Sequence, residues 1–251
     1  MVVERFRNRD AAAAAGAPAA RVSEHSAMKL YRFPHSCYAW KAQVALELGK
    51  VPFEIADVPY VDRTELVEVS GGMHVPVVVA DDGRVLRDSR VILETLAAED
   101  ERVGALIPAR LAGPVWAYSD WTDGPLEDVL FRLASPGIRG ALATPLARAL
   151  FTVMKERRFG AGIVDAWAAQ RGELQAKARG LLAPTLRTLA EAPFVVGDRP
   201  TLADVALYAQ LAMVAYADPA LVDGLGAGLG PWIARMRAAG ASAFPRPASR
   251  A

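Results

Sequence analysis

Three short polar motifs contain the residue types of this chain that are best suited to chemistry. In chain order, they are Ser36-Cys37, His74-Val75-Pro76 and Asp88-Ser89. A hydroxyl or a thiol can hold or form a thiolate, a carboxylate can bind an ammonium group, and a serine can bind a carboxylate. Each motif stands where a strand or a helix is predicted to begin, so the elements around the motifs decide what they can do.

The Asp88-Ser89 motif follows a predicted β-hairpin and precedes a predicted helix. Two β-rich runs, 75–80 and 84–87, flank an Asp-Asp-Gly turn, and apolar residues then recur at helical spacing from Val91. At a helix start, free backbone N–H groups and the positive end of the helix dipole both favour a bound carboxylate. An ordinary helix cap is the alternative interpretation of the same dipeptide.

The Ser36-Cys37 motif lies between a predicted strand and a predicted helix. Residues 29–33 are typical of a short strand, residues 39–48 of a helix that ends at Gly49, and residues 51–58 of a second strand. A thiol at such a helix start has a lowered pKa, because the helix N-terminus stabilises the thiolate. The order strand, helix, strand, hairpin and helix indicates one small α/β domain.

With these motifs in this order, the chain resembles the cytosolic glutathione transferase superfamily. The resemblance is carried by Lys-Leu-Tyr-Arg-Phe-Pro-His-Ser-Cys from Lys29, Val-Ala-Leu-Glu-Leu-Gly-Lys-Val-Pro-Phe-Glu from Val44, His-Val-Pro from His74, Asp88-Ser89, and Phe-Val-Val-Gly-Asp-Arg-Pro-Thr-Leu-Ala-Asp from Phe194. It implies a fold class of α/β plus all-α, with an N-terminal thioredoxin-like domain followed by an all-helical glutathione transferase C-terminal domain.

The resemblance and the strand and helix signals divide the chain into four parts. We expect a disordered N-terminal tail over 1–27, a thioredoxin-like glutathione-binding domain over 28–101, an all-helical domain over 107–241 and a loose C-terminal tail over 242–251. In the second half, an amphipathic segment from residue 116 is interrupted near 123–125, and helices are predicted over 142–157 and 163–189. Thr201 and Asp204 form a predicted capping box at the start of a further helix.

The resemblance implies that the loop before the first helix places a Ser, Tyr or Cys against the sulfur of glutathione. A Ser or Tyr donates a hydrogen bond that holds glutathione as a thiolate, whereas a Cys favours mixed disulfides and thiol exchange. Counting back from Val44 puts Ser36 in that position, while counting forward from Lys29 puts Cys37 there. Both stay candidates, with the alternative that Cys37 is a buried apolar residue and Ser36 a plain helix cap. The uninterrupted forward spacing favours Cys37, which we then expect to be partly ionised near neutral pH.

The resemblance also implies the other glutathione contacts. The peptide bond before Pro76 is expected to be cis, and the backbone of Val75 to bind the cysteinyl part of glutathione. Ser89 and its N–H are expected to bind the γ-glutamyl carboxylate, Asp88 to face the ammonium group, and His74 to lie near the glycyl carboxylate.

A second substrate is expected in a cleft between the two domains. The candidates to line it are Trp116, Tyr118 and Trp121, although an aromatic stripe at helical spacing is also typical of a core. Lys41 is predicted to lie on a solvated face. The basic cluster at 155–158 could bind an anionic substrate, although a solvated face is the interpretation that we favour.

Composition limits the class of protein. The chain has 251 residues, 53% of them hydrophobic, and a net charge of +1, so a nucleic-acid partner is not indicated. No apolar run is long enough to cross a bilayer, so no membrane partner is expected. The single cysteine, Cys37, fits a reducing compartment, and we expect a cytoplasmic protein.

Together these inferences predict a glutathione S-transferase that adds the glutathione thiolate to an electrophilic small molecule. The resemblance implies glutathione as the co-substrate, no metal, and a homodimer. Glutathione-dependent thiol transfer, reduction or isomerisation are alternatives on the same fold. A non-catalytic binding protein of this fold is the alternative of another class.

Overall fold

The computed structural model describes residues 28–245 of the chain. The predicted N-terminal tail, residues 1–27, lies outside the described residues, and so do residues 246–251. In the described part, no helix has the length and apolar character needed to cross a membrane.

The N-terminal half of the described chain alternates strands and helices. Its elements are β1 (Lys29–Arg32), α1 (Cys37–Leu48), β2 (Glu54–Asp57), α2 (Thr64–Ser70), β3 (Val77–Val79), β4 (Val85–Arg87), α3 (Ser89–Glu99) and α4 (Glu101–Gly104). The strands are shorter than the predicted runs, because only part of each run pairs with a neighbouring strand. The predicted thioredoxin-like α/β arrangement is confirmed.

The four strands form one mixed sheet in the order β2-β1-β3-β4. β1 and β2 are parallel and connected through α1, while β3 is antiparallel to both β1 and β4. The β1–β3 ladder ends at the pair Tyr31 and Val77. Continued two residues further, the same register brings Phe33, Val75 and Ser89 to one edge of the sheet.

Every regular element between residues 109 and 239 is a helix or a helical turn, as the predicted C-terminal domain requires. The elements are a 3-10 turn (Ala109–Leu111), α5 (Ala112–Trp121), a π turn (Thr122–Leu126), α6 (Glu127–Ala141), α7 (Pro145–Phe159), α8 (Ile163–Ala169), α9 (Arg171–Glu191), α10 (Leu202–Ala217), α11 (Pro219–Asp223) and α12 (Leu229–Ala239). The helix predicted over 163–189 is divided at Gln170, whose backbone leaves the α-helical region at φ −87° and ψ 10°.

The predicted interruption near residues 123–125 is a π turn that joins α5 to α6 without a break. Pro125 has no N–H to donate to the carbonyl four residues earlier, so the helix widens and the N–H of Glu127 donates to the carbonyl of Thr122. Nε2 of the buried Gln210 in α10 donates to the same carbonyl at 3.2 Å. The wide turn presents Asp123 and Glu127 towards α1.

Helix α10 is the central element of the helical half. Its residues 202–216 are buried, and it packs against both α1 and α6. Its N-terminus carries the predicted capping box, in which Oδ2 of Asp204 accepts from the N–H of Thr201 at 3.0 Å. The capping-box prediction is confirmed, and because α10 packs on α1, it helps to hold the α/β half in place.

The prediction of a loose C-terminal tail is wrong for the part of the tail that the structure describes. The N–H of Ser242 donates to Oε2 of Glu47 at 2.9 Å, and its carbonyl accepts from the Tyr208 hydroxyl at 2.6 Å. Phe244 packs on Tyr208 with ring centroids 4.6 Å apart. The segment after α12 therefore connects α1 with α10.

Candidate active site

Ser36 is the residue that caps helix α1. Its backbone is extended, its N–H donates to the carbonyl of Phe33 at 2.9 Å, and its Oγ accepts from the N–H of Ala39 at 3.3 Å. The residue is half-buried. The hydroxyl therefore stands at the positive end of the α1 dipole with its own proton available for donation.

The Val75–Pro76 peptide bond is cis, as the resemblance implied. Pro76 is buried directly before β3, Val75 is half-buried, and His74 is exposed to solvent. The sheet register places the Val75 backbone beside the loop that leads from β1 to Ser36. A peptide-like ligand at this edge could therefore reach both the Val75 backbone and the Ser36 hydroxyl.

Asp88 and Ser89 form the start of helix α3, as predicted. Oδ1 of Asp88 accepts from the N–H groups of Arg90 at 2.8 Å and Val91 at 3.3 Å. Asp88 has a φ of 72°, a region that non-glycine residues rarely occupy and that concentrates at functional sites. Ser89 is 6% exposed and supplies the first N–H of the helix, which the Asp88 cap does not use.

These three motifs lie together although up to 53 residues separate them in the sequence, counting from Ser36 to Ser89. The loop after β1, the residue before β3 and the residue after β4 share one edge of the sheet because the register aligns them. The edge combines two helix N-termini with a backbone segment that precedes a proline. Such a site can bind the carboxylate and the backbone of a small peptide and hold an anionic sulfur.

Cys37 does not belong to this edge, and the expectation of a partly ionised thiol is wrong. Its side chain is part of the core and is 4% exposed. Burial raises the pKa of the Cys37 thiol well above its ordinary value, and the nearby Glu127 carboxyl adds to this effect. The stabilisation expected from the α1 N-terminus is therefore outweighed by the loss of water around the thiol.

Lys41 is also placed differently from the prediction of a solvated face. It is 2% exposed, and its Nζ forms an ion pair with Asp123 of the π turn. One turn earlier on α1, the Tyr38 hydroxyl donates to Oε2 of Glu127. Two residues of α1 therefore bind two residues that the π turn presents, and this contact joins the α/β half to the helical half.

The Glu127 carboxyl carries an unusual pKa at this contact. Burial raises its pKa to about 7, although the hydrogen bond from Tyr38 acts in the opposite direction. Glu127 therefore gains or loses its proton near neutral pH, and the free energy of unfolding depends on pH in this range.

Glu127→Gln is expected to remove part of the pH dependence of the free energy of unfolding. The folded protein keeps the Glu127 proton up to a pKa of about 7, whereas the ordinary value is 4.5. The unfolded chain therefore loses its proton first as the pH rises, and the wild type loses about 3 kcal/mol between these two values. The variant should lack that loss, which urea unfolding at several pH values would measure.

Glu173→Gln, at an exposed position of α9, is the matched control and should keep the wild-type slope. If Glu127→Gln and the wild type lose the same free energy over this range, then Glu127 does not titrate as the structure indicates.

A cluster of aromatic side chains connects the β1–α1 loop to the helical half. His35 stacks on Phe33 with ring centroids 5.5 Å apart, and it lies 5.6 Å from Tyr60 and 6.5 Å from Phe151 of α7. The ring of Tyr216 in α10 also lies 5.6 Å from the His35 ring, measured between centroids. Burial lowers the pKa of His35 well below its usual value, so the ring is neutral near pH 7.

Sequence reasoning missed this aromatic cluster and the contacts of α1 with Asp123 and Glu127. His35 lies in the Lys29–Cys37 motif that carries the resemblance, but Phe151 and Tyr216 come from helices more than a hundred residues further on. No local pattern connects them. The proline of the interrupted segment was the one available signal for the π turn, because π turns are frequent at functional sites.

The three predicted cleft aromatics pack against the core, and Trp116 also contacts α3 of the α/β half. The Arg90 guanidinium lies 3.6 Å from the Trp116 ring, and the Tyr118 hydroxyl is 2.8 Å from Oγ1 of Thr185. Trp121 contacts Tyr118 at 5.1 Å between ring centroids. All three pack against the main core, so their contacts support the core interpretation and do not place them beside Ser36.

Across residues 28–245, no group of three or more His, Cys, Asp or Glu side chains could hold a metal ion.

Two family profiles match the chain, one in each half. The profile of the glutathione S-transferase N-terminal domain matches residues 30–103, and that of the glutathione S-transferase C-terminal domain matches residues 146–238. The chain therefore belongs to the glutathione S-transferase superfamily. No curated protein sequence gives a significant match.

Solved structures with the same fold include both transferases and a glutaredoxin. Glutaredoxin 2 of Salmonella typhimurium, in complex with glutathione, is 20% identical with a TM-score of 0.69, over 88% of this chain and 97% of that one. A Ceriporiopsis subvermispora glutathione S-transferase, in complex with glutathione, is 19% identical with a TM-score of 0.70, over 85% and 97%. A Xanthobacter autotrophicus glutathione S-transferase is 22% identical with a TM-score of 0.59, over 88% and 98%.

Proposed function

We propose that this protein is a glutathione S-transferase that adds the glutathione thiolate to an electrophilic small molecule, with Ser36 holding the thiolate. The observation that carries the proposal is the position of the Ser36 hydroxyl at the N-terminus of α1, on the sheet edge shared with Val75 and Ser89. Two of the structural neighbours are complexes with glutathione, which supports glutathione as the ligand of that edge.

The Ser36 hydroxyl and the N-terminus of helix α1 both stabilise the glutathione thiolate. Its Oγ accepts from the N–H of Ala39, and its own O–H donates to the glutathione sulfur. Hydrogen bonding to the charged form of an acid lowers the pKa of that acid, and the positive end of α1 acts in the same direction. More of the bound glutathione is therefore a thiolate at neutral pH, ready to attack an electrophilic carbon.

The remaining contacts position the peptide. The backbone of Val75 pairs with the cysteinyl part, and the hydroxyl and N–H of Ser89 bind the γ-glutamyl carboxylate. Asp88 uses Oδ1 for the helix cap, and its exposed carboxylate attracts the ammonium group. His74, exposed at the same edge, lies towards the glycyl carboxylate. Holding both reactants in place supplies much of the rate acceleration.

Thiol exchange through Cys37 is the alternative that the structure disfavours. A thiolate is the reactive species in exchange, and burial raises the pKa of Cys37. The resemblance also implies a cytoplasmic homodimer, and both of these stay predictions.

Calorimetric titration with glutathione, followed by an assay with a neutral chlorodinitrobenzene, tests the proposed function. We expect saturable binding and an adduct whose mass equals that of both reactants less hydrogen chloride. Binding without conjugation of any electrophile in a wider panel would favour a non-catalytic binding protein.

Ser89→Ala is expected to weaken glutathione binding by about 1–3 kcal/mol, because a hydrogen bond to a charged carboxylate is lost. Titration calorimetry at one pH and ionic strength measures the difference. Thr188→Ala removes an exposed hydroxyl of α9 and should leave the affinity unchanged. Equal affinities of Ser89→Ala and the wild type would contradict the placement of the γ-glutamyl carboxylate.

A further inference from the structure

Lys155 of α7 is a basic residue without a carboxylate partner at the contact between the two halves. It is half-buried, and none of the ion pairs found among residues 28–245 includes it. Its Nζ lies 4.6 Å from the ring centroid of Phe131 and 4.8 Å from that of Phe151. The ammonium group therefore faces aromatic rings where a solvated lysine would face water.

The charge around Lys155 is predominantly positive. Burial lowers the pKa of Lys155 to about 8, and the positive charges of Arg158 and Arg63 act in the same direction. Glu127 opposes them, but its carboxyl already accepts the hydrogen bond of Tyr38 and holds its proton to about neutral pH. An anion that reached Lys155 would remove an unfavourable excess of positive charge.

A surface of flat rings leads from Lys155 to the active-site loop. Phe151 contacts Tyr60 at 6.0 Å and His35 at 6.5 Å, and His35 is the residue directly before Ser36. His35 and Tyr60 are both half-buried, so parts of their rings remain open to solvent. Because His35 directly precedes Ser36, an aromatic molecule stacked on the open parts of these rings would lie near the active-site loop.

We propose that the second substrate of this site is an aromatic electrophile with an anionic substituent, whose ring stacks on His35 and Tyr60 and whose anion binds Lys155. The inference rests on the proposed function, because it assigns the electrophile that the thiolate attacks. It differs from the expectation of a solvated basic cluster, which holds for the exposed Arg157 and Arg158 and fails for Lys155.

Binding is tested first, because it does not depend on turnover. The glutathione-loaded protein is titrated by calorimetry with dinitrobenzoate and, as a neutral match, with dinitrobenzene. Lys155→Met keeps the aliphatic stem and removes the charge, and it should weaken dinitrobenzoate binding about tenfold or more while changing dinitrobenzene binding less than about twofold. Lys155→Gln, a second variant, should behave in the same way if the methionine disturbs folding.

Arg157→Met is the matched control, because it removes the same charge from an exposed position of the same helix. It should leave dinitrobenzoate binding nearly unchanged, since an exposed charge acts through water, where its attraction to an anion is weak. Loss of glutathione affinity in Lys155→Met would overturn the proposal, since Lys155 would then hold the glycyl carboxylate of glutathione. Undetectable dinitrobenzoate binding, or an equal loss for both probes, would also overturn it.

A turnover assay distinguishes a failure of this inference from a failure of the proposed function. With chlorodinitrobenzoate, the thiolate sulfur bonds to the ring carbon that carries chlorine, the carbon–chlorine bond breaks, and chloride leaves with the bonding pair. The thiol proton has already passed to solvent. Lys155→Met should lower kcat/KM for chlorodinitrobenzoate and spare the neutral chlorodinitrobenzene. If neither compound is conjugated while dinitrobenzoate binding still depends on Lys155, the proposed function fails and the anion site stands.

Discussion

Ser36→Ala is expected to lower the kcat/KM of glutathione conjugation about 10- to 100-fold. The variant lacks the O–H that donates to the thiolate, and hydrogen bonds to charged groups contribute about 1.5–3 kcal/mol. The pKa of bound glutathione should rise accordingly, so the pH–rate profile should shift to higher pH. Stopped-flow ultraviolet absorbance of the bound thiolate, recorded from pH 5 to pH 9, measures that pKa directly.

The loss of the α1 cap is a separate effect, because it lowers stability by about 1 kcal/mol without changing the pKa of bound glutathione. Cys37→Ala is the matched control at the neighbouring position. It should keep the wild-type pH profile, since Cys37 lies in the core and away from the site edge. Full activity in Ser36→Ala, combined with loss of activity in Cys37→Ala, would establish the cysteine mechanism instead.

Asp204→Ala is expected to have the largest effect on stability, lowering the free energy of unfolding by about 3–5 kcal/mol. Asp204 is fully buried, and both of its carboxylate oxygens accept hydrogen bonds. Its Oδ1 accepts from the N–H of Val195 and from Nε1 of Trp232, both at 2.9 Å. Its Oδ2 accepts from the N–H and the hydroxyl of Thr201, both at 3.0 Å. Alanine would leave these donors without a partner in the core. The corresponding fall in Tm is about 6–20 °C, which differential scanning calorimetry measures.

An exposed aspartate provides the control for this variant. Asp165 of α8 forms an ion pair with Arg139 and has a side chain that is 72% exposed, so Asp165→Ala should cost less than about 1 kcal/mol. A similarly small cost for Asp204→Ala would show that the network does not hold α10, and that another contact fixes this helix against α1.

The fold and one edge of the site could be predicted from sequence, because their signals are local. Strand runs, the Asp-Asp-Gly turn and the helix start at Asp88-Ser89 each depend on residues within a few positions of one another. The capping box of Thr201 and Asp204 spans three residues, and it was confirmed. The order and spacing of these signals were sufficient to recognise the resemblance to glutathione transferases. That resemblance implied the cis bond before Pro76, which the structure contains.

The choice between Ser36 and Cys37 could not be made from the sequence. Both residues lie at the same helix start, and a shift of one position turns a side chain by about 100° around the helix axis. Only the packing of α1 against the helical half decides which side chain is covered. That packing places Cys37 in the core beside Glu127, while Ser36 remains at the cap.

The sequence by itself therefore determined the two-domain fold class, the helix starts at Ser89 and Leu202, and the edge where glutathione is expected. The tertiary structure alone decided the burial of Lys41 and Lys155, because each depends on a side chain from another element. Lys41 loses its water to Asp123, 82 residues away, and Lys155 faces rings from two different helices. Burial depends on the summed contacts of several elements, and no pattern within one segment encodes that sum.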